Sequence, residues 1–154
     1  MRAVKGDLIA LAKQGSFDVI AHGCNCFHTM GGGLAAQMKR HFPEAHAADI
    51  ATPYGDRAKL GTCSVAIVSI PAGMLTIVNA YTQFQPSMGG GVDVDYDAVR
   101  DAMAWVKAHY AGQRIGLPQI GAGLAGGDWA RIEAIIAKQL GGEDVSIVIF
   151  GGTS

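Results

Sequence analysis

The chain has 154 residues, 22 of them glycine, with 12 Lys+Arg against 13 Asp+Glu and 49% hydrophobic content. Such a chain is long enough to bury a sizeable core, and its ordinary apolar content, low charge and aperiodic glycines exclude disordered and collagen-like classes. A net charge of -1, with both signs spread along the chain, leaves no basic stripe of the kind that tracks nucleic acid, so any bound anion must rely on backbone groups.

Ala3–Lys5 reads as a short strand, and Asp7 stands where the N-cap of the Leu8–Lys13 helix belongs, with Gly15 ending it. The apolar run in this segment is too short for a signal peptide or a membrane span, so a cytoplasmic location is expected. Phe17–Ala21 reads as a strand buried on both faces, with a turn at His22-Gly23-Cys24-Asn25. Leu34, Ala35, Met38 and Phe42 share one face of a helix that begins near Gly33 and stops at Pro43. Residues 44–62 carry no decisive pattern. Cys63–Ile70 and Met74–Tyr81 are strand-like and joined by Pro71-Ala72-Gly73, which predicts a hairpin. Asp95–His109 is the clearest amphipathic helix, with Val99, Met103, Val106 and Tyr110 on its apolar face. A strand at Arg114–Leu117, a helix at Asp128–Leu140 and a strand at Val145–Phe150 follow. Strands alternating with helices, and no linker or repeat, predict one α/β unit over residues 1–154. Three cysteines, Cys24, Cys26 and Cys63, suit reduced, buried thiols better than a disulfide scaffold, and C-x-C alone does not complete a metal site.

The unusual loops are Gly6-Asp7, the stretch His22 to Gly33, and Gly121-Ala122-Gly123-Leu124-Ala125-Gly126-Gly127. Ligands of open α/β sheets gather at the carboxyl ends of strands, and loops that open helices direct free N–H groups at anions. Two such glycine loops suit a diphosphate. No GxxxxGK[ST] stretch is present, which argues against a P-loop nucleotidase. Gly121-x-Gly123-x-x-Gly126 matches the dinucleotide fingerprint, but the acidic Glu143 and Asp144 precede the last strand instead of ending it, which argues against NAD binding in that mode.

In order and spacing, Gly6-Asp7, His22-Gly23-Cys24-Asn25, Gly31-Gly32-Gly33-Leu34-Ala35 and Pro118-Gln119-Ile120-Gly121-Ala122-Gly123-Leu124 resemble the macro domain over nearly the whole chain. The HGCN and GGGLA stretches resemble the branch that holds the yeast ADP-ribose 1''-phosphate phosphatase and the terminal ADP-ribose glycohydrolases. The resemblance implies a three-layer α/β/α sandwich with a mixed, mostly parallel central sheet. It also implies a cleft for ADP-ribose or a derivative, free or attached to protein or nucleic acid. A compact, balanced surface leans toward a monomer, and no cofactor or metal is expected. Asp7, with Leu8 beside it, would accept from the adenine amino group, or Asp7 serves as a plain helix cap. Asn25 would face the distal ribose, or it holds a turn. Gly31, Gly32, Gly33 and Leu34 would contact the distal ribose and diphosphate, while Gly121, Ala122, Gly123 and Leu124 would wrap the phosphates with N–H groups. Phe150 would stack on adenine, or it belongs to the core.

For catalysis, His22 occupies the strand end where the yeast-like phosphatases carry a histidine, although a hydrogen-bonded structural histidine would look the same in sequence. Asp128, Asp93 and Asp95 are further candidate bases, the last two just past Gly89-Gly90-Gly91. The glycohydrolases use an aspartate directly after GxGL, where this chain has Ala125, and a lysine after a central strand, where Asn79–Gln85 holds none. A covalent lysine mechanism is therefore excluded. Two functions fit: hydrolysis of an ADP-ribosyl derivative, or ADP-ribose binding without turnover.

Overall fold

The computed structural model describes residues 1–151, so the last three of the 154 over which one unit is expected lie outside it. A six-stranded sheet runs β1-β6-β5-β2-β4-β3, formed by β1 (Arg2–Gly6), β2 (Val19–Cys24), β3 (Cys63–Ile70), β4 (Gly73–Tyr81), β5 (Arg114–Leu117) and β6 (Asp144–Phe150). All neighbours are parallel except β3, which returns against β4 as the expected hairpin. The helices are α1 (Leu8–Lys13), α2 (Gly33–His41), α3 (Pro43–Ile50), α4 (Tyr96–Tyr110) and α5 (Trp129–Gln139).

Alternation along the strands divides the core into two layers. Ile20, Leu75 and Ile77 face Ile9, Met38 and Ala45 of α1, α2 and α3. Val19, Ala21 and Val78 face Val99, Met103, Ile132 and Ile136 of α4 and α5. The three-layer α/β/α sandwich with a mixed, mostly parallel sheet is thus the observed fold. Among the described residues, no helix is long and apolar enough to cross a membrane.

Local chemistry sets most boundaries as expected. Asp7, Asp95 and Asp128 accept from Ala10, Ala98 and Ala130 N–H at 2.9, 3.0 and 3.0 Å, capping α1, α4 and α5. One expectation is borne out and extended, and one is corrected. Pro43 does end α2, but it also occupies the first position of α3, where its fixed φ and missing N–H cost nothing. The stretch His22–Cys24 is strand, not turn, because β4 is long enough to pair with it as His22↔Asn79, Gly23↔Ala80 and Cys24↔Tyr81.

Phe17 lies outside β2, and its ring fills the space above Gly116 of β5, where an added Cβ would meet Phe17 Cδ2 at 2.6 Å. Gly116→Ala is expected to lower stability by about 1–3 kcal/mol through overpacking, measured by urea unfolding; an unchanged midpoint would contradict this packing.

Candidate functional site

The parallel strands β1, β6, β5, β2 and β4 all end at one edge of the sheet, and the segments leaving β2, β4 and β5 enclose a cavity of about 700 Å³ there. Its walls are Gly31 to Ala35, Gln83, Pro86 and Ser87, Pro118 to Gly121 and Gly123 to Ala125, while His22, Cys24 and Asp49 close its inner side. No lysine or arginine lines it. Backbone supplies the donors instead.

The N-cap of α2, Gly32, has no side chain with which to cap it. The N–H groups of Gly33, Leu34 and Ala35 therefore have no acceptor among the described residues. Across the cavity, the N–H groups of Gly121, Gly123, Leu124 and Ala125 are likewise without a partner, whereas Ala122 N–H donates to Gln119 O at 3.2 Å. Leu124 spans the two loops, its Cδ1 lying 3.2 Å from where a Cβ on Gly32 would stand. Gly126 has φ +70° and packs so closely on Gly91 O that no Cβ fits. This contact docks the segment after β4 on the loop after β5, together with Asp93 N–H donating to Ala125 O at 2.8 Å.

The cavity lining brings together His22, Asn25, Gly31, Gly32, Gly33, Leu34, Gly121, Gly123 and Leu124 of the expected residues. Asp7, Leu8, Ala122, Asp128 and Phe150 lie outside it. Asp7 and Phe150 are neighbours at the far end of the same edge, because Gly6 pairs with Phe150, which is 67% exposed. The Leu8 side chain belongs to the core at 4% exposure, so only its main chain is open to a ligand. Ala122 is removed as a donor by its bond to Gln119. Asp128 caps α5, and its own N–H donates to Tyr96 Oη at 3.0 Å. Asp93 and Asp95 face a separate shallow groove beside Arg57, Phe84 and Tyr96.

Asn25 holds its own loop: its Oδ1 accepts from Phe27 N–H at 2.8 Å and its Nδ2 donates to Thr29 Oγ1 at 2.7 Å. His22 is 1% exposed, with Nε2 2.7 Å from Asn79 Oδ1. Burial pushes its imidazole below the ordinary range, against the smaller upward effects of the Asn79 bond and the Asp49 charge. Burial also pushes the Cys24 thiol well up, so it is no nucleophile. Among the described residues, no group of three or more His, Cys, Asp or Glu is arranged to hold a metal ion.

Asp49 is the site residue that sequence reasoning missed. It follows Phe42 and Ala45 at helical spacing on the face that α3 buries, and a charged residue on an apolar stripe is the signal that marks such a position.

No family model matches the sequence. The chain is 39% identical over 141 residues to an uncharacterized 17.5 kDa protein of the tk-vs intergenic region of Enterobacteria phage T4, covering 88% of this chain and 87% of the phage protein. Among solved structures, a macrodomain protein from Streptomyces coelicolor is 27% identical, with 99% of each chain covered and a TM-score of 0.69. This chain has the macrodomain fold. Another solved structure of the same fold is Thermosipho africanus DarTG in complex with ADP-ribose, 15% identical at a TM-score of 0.73, covering 100% of this chain and 43% of that one.

The buried, neutral imidazole of this macrodomain has a consequence for stability. Below about pH 6.5 the unfolded chain takes up a proton at His22 that the folded chain does not, so stability should be greatest above that pH and fall as pH drops below it. His22→Gln is expected to flatten this dependence in melting curves between pH 5 and 8. An equally steep curve in the variant would contradict the assignment.

Proposed function

We propose that this macrodomain binds ADP-ribose in the cavity and hydrolyses an ADP-ribosyl derivative there. The observation that carries the reading is the pair of unpartnered N–H sets, on the first turn of α2 and on Gly121, Gly123, Leu124 and Ala125, facing one cavity without lysine or arginine in its lining. Converging backbone donors at a helix N-terminus are what a diphosphate requires.

With the diphosphate between the loops, strand order directs the two ends of the ligand. The adenosine extends over β5 toward β6 and β1, where the exposed Phe150 ring offers a stacking face and Asp7 accepts from the adenine amine. The distal ribose extends the other way, toward Asn25 and the ends of β2 and β4. Hydrolysis would follow from holding the sugar against ordered donors while water attacks, with His22 on the inner wall as the nearest nitrogen base. The HGCN and GGGLA stretches support a hydrolytic branch, with phosphate or a modified macromolecule as leaving group.

A second reading, ADP-ribose binding without turnover, is favoured by one set of contacts: His22 is buried against Asn79, Asn25 is engaged within its loop, and Ala125 is apolar.

Calorimetric titration with ADP-ribose and AMP, followed by phosphate release from ADP-ribose 1''-phosphate, separates these readings. Micromolar binding is expected, reduced about tenfold, or ~1.4 kcal/mol, in Asp7→Ser, which keeps a helix cap but lacks reach to the adenine. Turnover supports the hydrolase. Binding without turnover of this or any attached ADP-ribose supports the reader, and no binding of ADP-ribose contradicts both.

A further inference from the structure

Asp49 is the only buried acidic residue among those described, at 1% exposure. Its Oδ1 accepts from the Tyr81 hydroxyl at 2.8 Å, while its Oδ2 has no partner although it is shut off from solvent. Buried carboxyl oxygens are rarely left this way, because the desolvation cost is then unrelieved. The residue also lines the cavity.

The bonds behind Asp49 all run in one direction. Asn79 donates both amide hydrogens, to Ala45 O at 2.8 Å and to Ser64 Oγ at 3.0 Å, so its Oδ1 must accept the Nε2 hydrogen of His22 at 2.7 Å. Ser64 in turn donates to Tyr81 Oη at 2.8 Å, and Tyr81 donates to Asp49 Oδ1. Each bond polarises the next, and the chain begins and ends in the cavity wall. At its start, the ring of His22 keeps an acceptor lone pair on Nδ1, whose only close polar neighbour is the weakly donating Cys24 Sγ at 3.9 Å. At its finish stands Asp49 Oδ2. Both ends are acceptors on residues that line the cavity, so the inner wall fits a hydrogen-bond donor and disfavours a phosphate.

Which donor reaches it follows from strand order. Asp49 is held by Tyr81 at the end of β4, whereas the Asp7–Phe150 shelf lies at β1 and β6, with β5 and β2 between them. A ligand with its diphosphate between the glycine loops and adenine on the shelf turns its distal sugar toward β4. We infer that Asp49 Oδ2, held by the chain from His22 through Asn79, Ser64 and Tyr81, accepts a hydrogen bond from a hydroxyl of the distal ribose and so selects ADP-ribose over ADP. The inference rests on the ADP-ribose reading of the cavity. Asp49 touches the ligand, and Tyr81, Ser64 and Asn79 are positioning residues.

The test is calorimetric titration of wild type, Asp49→Asn and Tyr81→Phe with ADP-ribose and with ADP, which lacks the distal sugar, alongside a melting curve of each unliganded protein. Wild type should prefer ADP-ribose. Asp49→Asn should lose that preference by about 10-fold or more, the scale of a missing hydrogen bond, with ADP affinity unchanged. Tyr81→Phe, which leaves Asp49 present but unheld, should show a smaller loss of the same kind and keeps the inference testable should Asp49→Asn fail to fold. Unchanged preference in the variants, or equal loss for ADP-ribose and ADP, would overturn it.

If wild type binds neither compound, the ADP-ribose reading fails by itself and the melting curves decide about Asp49. A wall oxygen kept for a ligand should make unliganded Asp49→Asn more stable, by about 2–4 °C. A lowered melting temperature would mark Asp49 as a structural residue and overturn the inference.

Discussion

The first turn of α2 leaves three backbone N–H groups without an acceptor, and much of the site follows from that one omission. In α1, α4 and α5 an aspartate satisfies this need, and α3 begins with a proline. At α2 the cap is Gly32, which has no side chain. A helix end that is neither capped nor removed from a cavity is an electropositive surface. The loop after β5 adds a second set of donors opposite it. The chain thereby provides for an anion without an arginine or lysine in the lining.

Holding those loops apart at the right distance is a packing problem, and glycine solves it twice. Gly126 permits contact with Gly91 O, and Gly127 lies against Gly121 O, where a Cβ would stand only 2.6 Å away. Leu124 then spans from one loop to the other. On the other side of the cavity the wall is built differently, from buried side chains. The His22–Asn79–Ser64–Tyr81–Asp49 chain satisfies every group along its length and leaves acceptors only at its ends. The site therefore has one donor side made of backbone and one acceptor side made of side chains. That polarity suits a ligand carrying phosphates at one part and hydroxyls at another.

Much of the fold was legible in sequence because caps and apolar periodicity coincide at α1, α4 and α5, and because the Val/Ile-rich runs of β2, β4 and β6 are buried on both faces. Helix α3 was not legible. Pro43 signals a stop as readily as a start, and PEAHAADI has a weak apolar face interrupted by Asp49. The extent of β2 was also hidden, since a glycine after His22 reads as a turn and only the pairing with β4 makes it strand. Within the site, the glycine loops were visible, but their division of labour was not. Sequence cannot tell that Ala122 N–H is engaged by Gln119 or that Gly126 serves chain-to-chain contact.

If two facing sets of backbone N–H groups hold the ligand, amide chemical-shift mapping on the ¹⁵N-labelled protein reads it most directly. Titration with ADP-ribose is predicted to shift the amides of Gly33, Leu34 and Ala35 together with Gly121, Gly123, Leu124 and Ala125, in one saturable process. Shifts confined to the shallow groove around Phe84, Asp95 and Tyr96, or absent from either glycine loop at saturation, would contradict it.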